Sequence, residues 1–78
     1  MNIQEVADNA RRFLGDGFLV DVISDVFVTC ARSKKILYIF PNIGFIEVSS
    51  QELMGISEGL ARHLNERGGK YEARRRYY

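Results

Sequence analysis

The chain has 78 residues, 46% of them hydrophobic and 12% aromatic, with a single proline and 11 Lys plus Arg against 10 Asp plus Glu, for a formal net charge of +1. That makeup excludes a disordered chain, and the length excludes more than one small domain. One cysteine, Cys30, rules out an intramolecular disulfide, and with one histidine, His63, it cannot build a zinc site of the usual Cys/His kind.

Residues 2–14 place Ile3, Val6, Ala7, Ala10, Phe13 and Leu14 at three- and four-residue spacing, with Glu5, Asp8, Arg11 and Arg12 on the other side. This predicts an amphipathic helix with Asn2 as N-cap, an Asp8–Arg12 pair one turn apart, and Gly15 and Gly17 as its stop. The period then changes from 3.6 to 2. Four runs rich in Val, Ile, Phe and Tyr follow, at 18–23, 26–31, 36–40 and 45–48, each bounded by turn-forming residues. Short links make them an antiparallel meander of three or four strands, in which 18–31 reads either as two strands or as one long bent strand.

Ser49 and Glu52 have the spacing of a capping box, so a second helix is predicted from there. Leu53, Ile56, Leu60 and Leu64 form its apolar stripe, and Gly68-Gly69 ends it. The fold class is therefore α+β: an N-terminal helix, the meander, and a C-terminal helix packed on one face of the sheet, within a domain spanning 1–69. Residues 70–78 show no periodicity and read as a basic, tyrosine-rich C-terminal tail. From Arg67 onward five basic residues oppose Glu72, a local +4, which leaves six basic and nine acidic residues, or −3, in the body.

Strand alternation assigns Val20, Val22, Val26, Val28, Leu37, Ile39, Ile46 and Val48 to the core under the helices. The opposite face receives Leu19, Asp21, Ile23, Phe27, Thr29, Tyr38, Phe40, Phe45 and Glu47. For a face left in water this is unusually aromatic. Either strand twist, the tail or a different register covers it, or it is a surface for a partner or a second copy, with Phe27, Tyr38, Phe40 and Phe45 as the anchors. Gly55 and Gly59 lie four apart on the second helix, away from its apolar stripe, and each costs about 0.5–1 kcal/mol relative to alanine. A groove that admits a partner backbone would account for them, as would a helix held by tertiary packing alone.

Catalytic constellations are missing from the pattern. Cys30 lies in an apolar strand and reads as a small buried hydrophobe. His63 falls on the border of the helical stripe. Gly15-Asp16-Gly17 runs from helix to strand, the reverse of the order a dinucleotide loop needs. The expectation is no enzyme, no cofactor, no metal and no small-molecule substrate.

The N-terminus shows no basic segment followed by an apolar one, and the most apolar stretch, 36–46, is broken by Pro41 and Gly44, so a cytoplasmic protein off the membrane is expected. A chain of this size buries about 60–65% of its unfolded surface. Without disulfide or metal, self-association or docking on a partner is the remaining support. The order of elements resembles that of small phage-encoded inhibitors such as some anti-CRISPR proteins, compact α/β domains without cofactors that occupy a surface of a larger machine. The resemblance is one of architecture and matches no motif residue by residue.

The leading expectation is a non-catalytic protein-interaction module, homodimeric, of accessory or inhibitor type, acting through the open sheet face or the second helix. The alternative is nucleic-acid binding by the tail, in which Lys70, Arg74, Arg75 and Arg76 are interleaved with Tyr71 and Tyr77, a composition suited to phosphate contacts and base stacking.

Overall fold

Two helices cover one face of a five-stranded sheet in the structure, a computed structural model that describes residues 2–76. Helix α1 (Ile3–Leu14) is capped as its sequence demands, with the Asn2 side chain accepting the Glu5 amide at 2.9 Å. Gly15 closes it at φ +74°, a conformation that favours glycine. Strands β1 (Leu19–Val22), β2 (Val28–Arg32), β3 (Lys35–Phe40) and β4 (Phe45–Val48) form an antiparallel meander, so 18–31 is two strands. Helix α2 (Met54–Asn65) then crosses back, and β5 (Glu72–Arg75) pairs parallel with β4.

The fifth strand exceeds the three or four expected, because part of the segment read as a tail enters the sheet. Its sequence, Glu-Ala-Arg-Arg, has no apolar alternation to announce it. Backbone pairing does the work instead: the Glu72 amide donates to the Gly44 carbonyl and the Arg76 amide to the Val48 carbonyl, each at 3.1 Å. The chain leading into β5 is fixed at Asn65, whose side-chain oxygen accepts the Tyr71 amide at 2.5 Å and whose Nδ2 donates to the Tyr71 carbonyl at 3.0 Å. Tyr71 packs its ring against the core.

Val6, Ala7 and Ala10 of α1, Leu60, Ala61 and Leu64 of α2, and Leu53 just before it meet Val20, Val28, Cys30, Leu37, Ile39, Ile46 and Val48 from the sheet. Each large aliphatic side chain so buried contributes about 1.5–3 kcal/mol. Two assigned core positions are exposed instead, Val22 at 37% and Val26 at 51%. Val22 is the last residue of an edge strand, and Val26 lies in the turn between β1 and β2, outside the ladder.

Two side-chain pairings also differ from expectation. Asp8 pairs with Arg11 at 3.0 Å, not Arg12, because Arg11 also donates from Nη2 to the Val20 carbonyl at 3.1 Å and so lies along the β1 edge. The capping box at Ser49 and Glu52 does not form. Ser49 accepts the Ile36 amide across the sheet, Glu52 pairs with Lys35, and a 3-10 turn at Gln51–Leu53 leads into α2 without a side-chain cap. That pairing holds the Glu52 carboxyl below its usual range, chiefly through the hydrogen bond from Lys35.

Candidate interaction surface

The face of the sheet turned away from the helices gathers side chains from all five strands. Register places Asp21, Thr29, Tyr38, Glu47 and Arg74 as successive neighbours in one row across it. A second row is aromatic: Phe27 just before β2, Phe40 of β3 and Phe45 of β4, ending at Glu72 of β5. The rings are in contact, with centroids 5.7 Å apart for Phe27 and Phe40, 5.0 Å for Phe40 and Phe45, and 6.3 Å for Phe27 and Tyr38. Such pairs contribute about 0.5–1.5 kcal/mol each beyond their buried area. All four remain partly exposed, and Leu19 and Ile23 along the β1 edge are exposed at 66% and 54%.

The strand that the sequence concealed supplies this face with its cations. Arg74 places its guanidinium 4.3 Å from the centre of the Phe45 ring, and Arg76 lies 5.3 Å from that of Tyr38. Both also meet carboxylates at 3.5 Å, Arg74 with Glu72 and Arg76 with Glu47. These exposed pairs are worth at most about 1 kcal/mol each. Asp21, at the opposite edge, has no ion-pair partner among the described residues. Among the described residues the face therefore holds three carboxylates, Asp21, Glu47 and Glu72, and two guanidiniums, Arg74 and Arg76, around an aromatic centre.

Of the residues singled out by sequence, Phe27, Tyr38, Phe40 and Phe45 converge here, and Arg74 and Arg76 join them. Lys70 and Arg75 are exposed, Tyr71 turns to the α2 side, and Tyr77 lies outside the described residues. The two helix glycines separate. A Cβ on Gly59 would stand 3.0 Å from Cζ of Phe13, so Gly59 is the seat on which α1 rests its aromatic ring, an intramolecular use of the close approach expected for a partner. Gly55 faces open space. Arg74 and Arg76 were missed as parts of this surface because only the pairing of β5 with β4 brings them onto it, while Asp21 had already been placed there by strand alternation.

Burial pushes the Cys30 thiol up to about 12, away from the thiolate a nucleophile needs. His63 stacks on Phe13 at 5.2 Å, and its Nδ1 faces Arg67 Nη1 at 3.2 Å. A groove of about 500 Å³ between α2 and β5 is lined by Glu58, Arg62, Asn65, Glu66 and Tyr71 among others. Among the described residues no group of three or more His, Cys, Asp or Glu is placed to hold a metal ion, and no helix is long and apolar enough to cross a membrane. No protein-family model, curated protein or solved structure matches the chain.

Proposed function

We propose that this chain is a non-catalytic protein-interaction module that docks on another protein surface through the open face of its sheet. The observation that carries the reading is the contiguous cluster Phe27–Tyr38–Phe40–Phe45, left partly exposed and rimmed by charges of both signs. An aromatic centre with a polar rim is the anatomy of a protein interface, and arginine resting on aromatic rings is the composition of its hot spots. A polyanion is the poorer occupant. The face carries more carboxylates than guanidiniums, and both guanidiniums already meet acids, so counterion release from phosphates would be offset by repulsion. A reducing compartment such as the cytoplasm suits a chain whose one cysteine is a buried free thiol.

A photo-crosslinking side chain placed at Thr29, central in the charged row, tests this in the cells that make the protein, with the exposed helix position Glu58 as control. Protein adducts from position 29, and not from 58, are the expected result. Adducts to nucleic acid, or no adduct from 29, would overturn the reading.

A further inference from the structure

The order of residues along the two rows of the open face points to a second copy of this chain as the occupant. This rests on the reading of that face as a protein-binding surface and names its partner. Consider two copies packed face to face about a two-fold axis running parallel to the strands along β3. Because β3 is the middle strand in the order β1-β2-β3-β4-β5, that rotation lays β1 of one copy over β5 of the other and β2 over β4. In the charged row, Asp21 then lies over Arg74 of the second copy and Thr29 over Glu47, with Tyr38 meeting its own equivalent on the axis. In the aromatic row, Phe27 lies over Phe45, and Phe40 meets Phe40.

The charged row and the rings thus find complements, and Asp21, which has no ion-pair partner among the described residues, meets a guanidinium at both ends of the interface. An in-plane axis perpendicular to the strands and passing through the charged row would lay Asp21 on Asp21, Glu47 on Glu47 and Arg74 on Arg74, which like charges oppose. A self-complementary patch related to itself by one rotation is what an isologous dimer requires. The strands of the two sheets run in nearly the same direction in this arrangement, which is the aligned packing that twisted sheets adopt. With principal extents of 29 × 22 × 21 Å, the molecule offers a face near the lower limit of a standard interface, about 600 Å² per partner. The dimer is therefore of modest affinity, and its charge row decides the pairing.

Sedimentation equilibrium of the full chain over the micromolar range tests the arrangement. The wild type is expected to show a monomer–dimer equilibrium. Asp21→Arg alone and Arg74→Glu alone are each expected to weaken it about tenfold or more, since each places like charges together at both ends. Mixing the two variants is the decisive arm. The mixed dimer pairs Arg against Glu at one end and Asp against Arg at the other, so affinity returns to near the wild-type value. A monomeric wild type, single variants that dimerise as well as the wild type, or a mixture that fails to recover would each overturn the proposal. Protein adducts from position 29 in a chain that stays monomeric would sink the dimer and leave the interaction surface standing; their absence would sink both.

Discussion

A Cβ on Gly44 would stand 2.6 Å from the backbone carbonyl oxygen of Lys70. Gly44, in the turn between β3 and β4, also has φ +83° and accepts the Glu72 amide, so one residue without a side chain admits the strand that completes the sheet. Gly44→Ala therefore meets both a backbone clash and a left-handed conformation, the latter alone costing about 1–3 kcal/mol. The expected result is a lower urea midpoint together with release of β5, seen as faster hydrogen exchange at the Glu72 and Arg76 amides than at those of β2 and β3. Wild-type protection at these two amides would show that β5 docks without the glycine.

Asn65 holds the other end of the same segment. Its two hydrogen bonds to the Tyr71 backbone are lost in Asn65→Ala, at a cost of about 1–3 kcal/mol for the pair. Burial raises the Tyr71 phenol above its ordinary range, so loosening the segment should return that ionisation toward the usual tyrosine value. Spectrophotometric titration against a Tyr71→Phe control reads this directly. An unchanged Tyr71 titration would mean that packing of its ring, not Asn65, holds the strand.

The helices and the first four strands were legible in the sequence because each buries one face and leaves the other wet, so hydrophobic period and structure coincide. The aromatic face was legible for the same reason: Phe27, Tyr38, Phe40 and Phe45 share one parity. β5 was not legible. An edge strand of Glu-Ala-Arg-Arg is held by main-chain bonds to β4 and by Gly44 and Asn65, none of which leaves a periodic trace. The capping box at Ser49 and Glu52 failed for a related reason, since both side chains are taken by partners more than twelve residues away in sequence. Arg74 and Arg76, visible only as charge in a tail, acquire their place over the rings from a pairing that local pattern cannot encode.

The two helix glycines should respond oppositely to the same substitution. Gly55 is an exposed position with nothing near its missing Cβ, so Gly55→Ala is expected to stabilise the fold by about 0.4–1 kcal/mol through reduced unfolded-state entropy. At Gly59 that gain is opposed by Phe13, which must shift from a 3.0 Å approach and disturb its stacking on His63. Thermal melts of the two variants should therefore differ in sign or clearly in size. Restoration of the full gain in Gly59→Ala/Phe13→Ala, measured against Phe13→Ala, would identify the ring as the cause. Equal stabilisation by both single substitutions would remove the seat assigned to Gly59.

Cys30 ties stability to alkaline pH. Its thiol is raised from an ordinary value of 9.0 to about 12 by burial, with Arg11 opposing and Asp21 adding to the shift. Between those values the unfolded chain releases a proton that the folded chain keeps. The stabilisation linked to this group is thus complete below pH 9.0 and is lost as pH rises toward 12, with a slope approaching about 1.4 kcal/mol per pH unit. Tyr71, also raised by burial, acts in the same direction at higher pH. Urea titrations at stepped pH should show stability falling above pH 9 in the wild type and falling less steeply in Cys30→Ala, which is less stable at neutral pH because of the cavity it leaves. The native thiol should also resist a disulfide reagent at pH 8 and react at the rate of global unfolding. Parallel pH profiles for the two proteins, or rapid modification of the folded chain, would show that Cys30 is open to solvent and that the core between β2 and the helices is looser than its packing indicates.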